Sequence, residues 1–204
     1  MSKVHPQAAP LSSPTQPPCL SSKPQVFTIW MKSLIMGGRG CTVFDSTGQI
    51  VYRVDNYNIK HSNKVYLMDS RGKVLCTLLR KKYRVLCPHW EGYRTLDAEL
   101  NKGNKPWFRV QKAWRIFRKV LSFEVIVNWD HVKQSMLTIE STKTGSACRI
   151  VDGLGFLVAD IKRKQSACGV ALGDDVLTLT VEANVDQCLI MGILVAYSLL
   201  GCKM

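Results

Sequence analysis

A chain of 204 residues with 46% hydrophobic content can build one sizeable core without disulfide or metal staples. Its eight cysteines come with no apolar leader in residues 1–25, which argues against a secreted disulfide framework and for free thiols in a reducing, cytoplasmic or nuclear setting. The net charge of +13 is concentrated: residues 60–119 carry 16 of the 28 Lys/Arg and only 4 of the 15 Asp/Glu, so an anionic partner is expected, either a membrane surface or a nucleic acid.

Residues 1–25 hold six of the eight prolines among serines, the composition of a disordered arm, and the folded domain is expected over 26–204. From Val26 onward, short runs rich in β-branched and aromatic residues alternate with turn signals. VFTIWMKSLI (26–35) stops at Gly37-Gly38. CTVFD (41–45) meets QIVYRVDNY (49–57) across Ser46-Thr47-Gly48, and VYLMD (65–69) meets KVLCTLLR (73–80) across Ser70-Arg71-Gly72. These two hairpins are copies 24 residues apart, each with Asp to close the turn and Gly for its positive φ. Asp45 and Asp69 are therefore turn residues, since the other oxygen ligands of a calcium loop are missing.

Two basic patches follow. Arg80-Lys81-Lys82-Tyr83-Arg84 is either a cradle for a phosphate headgroup or a solvated turn. Lys112-Ala113-Trp114-Arg115-Ile116-Phe117-Arg118-Lys119 mixes aromatics with cations, which suits interfacial membrane contact or base stacking. Read as a helix, its Ala113, Ile116, Phe117 and Val120 would dock on the rest of the fold. Strand-like runs then resume at 137–140, 147–151, 156–162, 167–172 (ACGVAL) and 176–181, for about a dozen strands in all.

Enzyme signatures are lacking. The four histidines are scattered, no Cys-x-x-Cys or His-x-x-x-His spacing appears, and a Cys87–His89 catalytic pair is not expected. Gly37-Gly38-Arg39-Gly40 does not continue as a phosphate-binding loop, and Gly153-Leu154-Gly155 reads as a strand-connecting turn.

The chain closes on CLIMGILVAYSLL (188–200), apolar on every side and interrupted only by Gly192 and Ser198. A helix of this kind must be enclosed, and it is too short to span a bilayer. Asn184 with Gln187 has the spacing of a capping box, and Gly201 with Lys203 suits the other terminus. About 15 residues at 1.5 Å make a rod of roughly 22 Å, the height of a short-stranded barrel. The expected fold is mainly β: a closed antiparallel barrel of about twelve strands around a central hydrophobic C-terminal helix.

GGRGCTVFDSTGQIVYRVDNY (37–57), VYLMDSRGKVLCTLLRKKY (65–83), Trp90-Glu91-Gly92-Tyr93 and ANVDQCLIMGILVAYSLL (183–200) together resemble the plant LURP-one-related proteins, over nearly everything from residue 26 onward. That family is similar in fold to the tubby C-terminal domain and to phospholipid scramblases, twelve-stranded barrels around a central helix. The resemblance implies an association with plant defence and, through tubby-like relatives, binding of phosphoinositide headgroups by basic side chains.

A non-enzymatic binding and signalling module is thus expected. It would contact anionic phospholipid through Arg80, Lys81, Lys82, Arg84, Lys112, Arg115, Arg118 and Lys119. A nuclear or nucleic-acid-associated regulator and a protein–protein scaffold are the alternatives. No catalytic residue, metal or cofactor is expected, nor a transmembrane span. The protein should be a monomer in the cytoplasm, at the plasma membrane or in the nucleus.

Overall fold

In the computed structural model, the described residues are 20–31, 39–56, 63–81, 88–95, 105–113, 122–129, 133–141, 147–166 and 168–200. Twelve strands close into one antiparallel barrel: β1 (Gln25–Trp30), β2 (Arg39–Phe44), β3 (Ile50–Asn56), β4 (Lys64–Asp69), β5 (Val74–Lys81), β6 (His89–Arg94), β7 (Phe108–Lys112), β8 (Ser122–Asn128), β9 (Gln134–Ser141), β10 (Ala147–Asp152), β11 (Leu157–Arg163) and β12 (Val176–Val181). Each pairs with its neighbours in sequence, and β1 closes on β12 from Gln25↔Val181 to Trp30↔Val176. Closure leaves no open sheet edge.

The barrel matches the expected architecture, and the interior explains the terminal run. A helix with its side chains is about 10–12 Å across, so a lumen of this strand number can hold one. Helix α1 (Gln187–Leu199) lies inside, with every residue from Gln187 to Tyr197 buried. It packs against inward residues of the wall, including Phe27, Leu67, Leu78, Phe108, Ile139 and Leu179. Its closest backbone approach is to β5, β6 and β7. Two glycines permit this. A Cβ on Gly92 of β6 would lie 2.2 Å from Phe108 Cε1, and one on Gly192 of the helix 2.9 Å from Phe108 Cζ. Phe108 fills the space that both glycines leave, and Cys76 packs beside it.

Several expectations are corrected. The helix is capped by Asp186, whose Oδ1 accepts from Leu189 N at 3.1 Å; Asn184 instead takes a left-handed turn, φ 60°. Asp186 also pairs with Arg94 at 2.7 Å, so a charge on β6 selects it as the cap. The helix has 13 residues rather than about 15, and Gly201 and Lys203 lie outside the described residues. The run at 26–35 leaves the strand after Trp30. ACGVAL (167–172) is no barrel strand, and Ala171 forms only an isolated bridge with Gln165. In its place β6, β7 and β8 complete the twelve, and Lys112 ends β7 rather than opening a helix. Trp114 to Leu121 lie outside the described residues, as do residues 1–19.

The turn repeat extends to a third copy. Asp45, Asp69 and Asp152 each accept at Oδ1 from the backbone two and four residues on, at 2.8–2.9 Å, with Gly48, Gly72 and Gly155 at φ 83°, 84° and 90°. In each hairpin the ladder shifts register just before the Asp. These are tight turns with a bulge, and glycine supplies the left-handed residue. Ser166 builds the same turn with Gly169 at φ 77°, its Oγ accepting from Val170 N.

Candidate functional site

Antiparallel up-and-down connectivity sends alternate connections to opposite ends of a barrel. The helix enters at the end where Arg94 of β6 meets Asp186, with the three Asp turns on the same side. At the other end lie the termini Trp30, Asn56, Lys81, Lys112, Ser141 and Arg163. The six connections leaving those residues contain nine Lys/Arg and two Asp/Glu, whereas the six at the helix-entry end contain five and six. The net charge of the chain is thereby sorted along the barrel axis. The two acids in those six connections are already engaged: Asp174 pairs with Arg163 at 2.8 Å, and Asp175 accepts from Trp30 Nε1 at 3.2 Å.

Of the two basic patches read from the sequence, the described residues Arg80, Lys81 and Lys112 belong to this end. Arg80 and Lys81 close β5, Arg80 exposed and Lys81 half-buried, and Lys112 is the exposed last residue of β7. The three flank β6: Lys81 is the register partner of His89, Arg80 of Trp90, and Trp90 of Val110, two residues before Lys112. Lys82, Arg84, Arg115, Arg118 and Lys119 lie outside the described residues. The link from Lys81 to His89 carries the first two, and that from Lys112 to Ser122 the others.

One cationic run escaped sequence reasoning. Lys162 and Arg163 end β11, with Lys164 directly after, at the same end of the barrel, four strands away from β7. Lys162 pairs with Asp160 at 2.6 Å, and Lys164 Nζ donates to Thr28 Oγ1. The signal was present as Lys-Arg-Lys in the sequence, but no periodicity tells which strand ends share one rim. The helix also directs its carbonyl end here, and cations around a helix C-terminus are favoured by its dipole.

The outer wall carries a second polar cluster. On β6, Trp90 and Gly92 face the core, so His89, Glu91 and Tyr93 face outward, yet His89 and Glu91 are buried. Glu91 Oε1 accepts from Arg109 Nε at 3.1 Å and from its terminal nitrogen at 2.8 Å, and Tyr93 Oη donates to Oε2 at 2.8 Å. His89 Nε2 lies 3.4 Å from Oε1. Burial opposes ionisation of Glu91, but the hydrogen bonds from Tyr93 and Arg109 and the charge of the Arg109 guanidinium outweigh it and hold the carboxyl below its ordinary range. Every named contact ties β6 to itself or to β7, as expected of a structural network. Burial pushes the thiols of Cys41 and Cys76 up to about 12, so both stay protonated and act as core filling.

Among the described residues no three metal-ligating side chains converge, and no helix is long and apolar enough to cross a membrane.

Comparison with known proteins supplies the wider context. The profile of the LURP-one-related family matches residues 25–198. LURP-one-related 11 of Arabidopsis thaliana is 43% identical over 99% of this chain and 90% of its own length. LURP-one-related 3 and LURP-one-related 2 of the same plant are each 44% identical over 92% of this chain and 84% of theirs. An X-ray structure of another Arabidopsis thaliana protein superimposes with a TM-score of 0.61 at 17% identity, covering 90% of this chain and 94% of the other, a likeness of fold.

Proposed function

The chain belongs to the LURP-one-related family, and from that premise we propose that it is a non-enzymatic module that attaches reversibly to anionic membrane lipid through the basic end of the barrel. The observation that carries this is the sequence of the connections: the six that join strands at this end hold nine Lys/Arg against two Asp/Glu, eight of the nine outside the described residues, and Arg80, Lys81 and Lys112 close strands there. Cations at the strand ends of one rim, with Arg80, Lys81 and Lys112 among the described residues, can face a flat anionic surface together. A side wall offers cations of mixed height and pairs many of them, as Arg53 with Asp55 and Arg109 with Glu91. Each Lys or Arg near an anionic leaflet contributes about 1 kcal/mol, so a handful gives attachment that salt or a change of lipid can reverse. Nucleic acid offers the same charge, and the vesicle experiment below separates the two. The module would act in a reducing compartment, at the cytoplasmic face of the plasma membrane, and its signalling role would fit the association with defence that the family resemblance implies.

The test is co-sedimentation with vesicles of neutral phosphatidylcholine, of phosphatidylserine, and of phosphoinositide at matched surface charge. Binding to both anionic sets that falls with salt is the expected result, and preference for phosphoinositide would add a defined headgroup site. Neutralising Arg80, Lys81, Lys82 and Arg84 together should weaken binding at least tenfold. Absence of pelleting with any anionic vesicle, or pelleting unaffected by that substitution and by salt, would remove the reading.

A further inference from the structure

The apolar run at 167–172 has the sequence of a strand, and the barrel does not use it. After Lys164, whose N–H bonds to Val176 O, the chain leaves the wall and folds back on itself as a small hairpin. Its two arms are joined by Ser166 N to Val170 O, Leu172 N to Lys164 O, and the Gln165–Ala171 bridge. Ser166 and Gly169 form the turn. From Gln165 to Gly173 there is no charged residue, and Cys168 through Leu172 are all exposed, Val170 by 64% and Leu172 by 53%. Lys162, Arg163 and Lys164 lead into the hairpin, and the acids that follow it are held by Arg163 and Trp30. Trp30 itself is partly exposed at the same rim.

An uncharged, exposed apolar hairpin at the end of the barrel where Arg80 and Lys112 close their strands, with Trp30 at the end of a nearby strand, is an arrangement that suits a membrane interface. Cations meet the headgroups while the tip enters the acyl boundary. We propose that the Lys164–Leu172 hairpin inserts Val170 and Leu172 into the anionic bilayer, so that the barrel stands end-on with its axis across the membrane plane. This rests on the membrane reading above and adds to it an orientation and an inserted element. It also separates two exposed apolar turns among the described residues. Leu154 and Phe156, 84% and 68% exposed, lie at the helix-entry end and would face away from the lipid.

The experiment compares three full-length proteins on anionic and neutral vesicles, with unchanged thermal unfolding confirming the fold: the unaltered chain, Val170→Ser with Leu172→Ser, and Leu154→Ser with Phe156→Ser. A parallel protein carries Cys19→Ser, Cys87→Ser and Cys202→Ser. Cys41, Cys76, Cys148 and Cys188 are buried, so a fluorophore added to it marks Cys168. The expected result is about tenfold weaker anionic binding for the Val170/Leu172 variant, no change for the Leu154/Phe156 variant, and quenching of the label by lipid carrying spin labels in the acyl chain. If the unaltered chain binds anionic vesicles but the Val170/Leu172 variant binds equally and the label is not quenched, insertion is overturned and the electrostatic reading stands. If the unaltered chain does not bind, the membrane reading itself fails and insertion with it.

Discussion

The two ends of the barrel use the same strands and differ in how they join them. At the helix-entry end most connections are four or five residues long, and three are copies of one Asp-closed turn; the helix is clamped there by Asp186 and Arg94, with the guanidinium 4.0 Å over the Trp107 ring. At the basic end the connections run from five to twelve residues and hold nine Lys/Arg against five at the other. Short, internally bonded turns fix register at one end, which leaves the other free to carry charge that contributes little to the fold.

If stability resides in the core and the entry end, substitutions should rank accordingly. Ile193→Asp places a carboxylate in the middle of the buried helix and should cost more than about 4 kcal/mol, abolishing cooperative unfolding. A soluble two-state variant, measured in urea, would break the picture of an enclosed helix. Gly92→Ala forces a methyl against the fully buried ring of Phe108 and should cost about 3 kcal/mol. Gly192→Ala should cost less, because its clash is milder and alanine regains up to about 1 kcal/mol of helix propensity.

Asp186→Ala removes a cap and the Arg94 pair together, for about 2 kcal/mol in denaturant midpoint, while Asp186→Asn keeps the capping oxygen and should lose about half of that. By contrast Arg80→Ala or Lys81→Ala at the basic end should stay within about 0.5 kcal/mol. Equal effects at the two ends would erase the distinction. The smallest effect depends on pH. Glu91 has a depressed carboxyl pKa in the folded state, so its contribution is fully present above the unfolded value of about 4.3 and is lost as pH falls through the lower folded value. Glu91→Gln should flatten the acid limb of the stability profile over that window and leave its neutral-to-alkaline slope unchanged.

The barrel and its central helix were legible because both rest on local signals: period-two alternation, Asp-Gly turns, and an apolar run with no polar face. The sequence was less informative where the fold departs from those signals. Trp90-Glu91-Gly92-Tyr93 does not alternate apolar and polar, because β6 buries its outward Glu91 in an ion pair and leaves an inward gap at Gly92 for Phe108. ACGVAL has strand composition but no neighbouring strand to pair with. The helix cap moved two residues because Arg94, 92 positions away, favours Asp186. Of the proposed site, the cationic residues could be read directly. Their gathering at one rim could not, since it follows from the direction of each strand in the closed barrel.

The seam between β1 and β12 has a consequence for synthesis. A ribosome delivers Gln25–Trp30 first, but these residues obtain their second partner only once Val176–Val181 has emerged, and the lumen is filled only after Leu199. Until then the nascent chain is a curved sheet with two bare edges and an unfilled apolar face, the form most open to mispairing and aggregation. A premature stop anywhere before the final helix would leave that intermediate as the end product. Loss of the last few dozen codons should therefore yield a substrate for chaperones and proteases rather than a shortened but working protein.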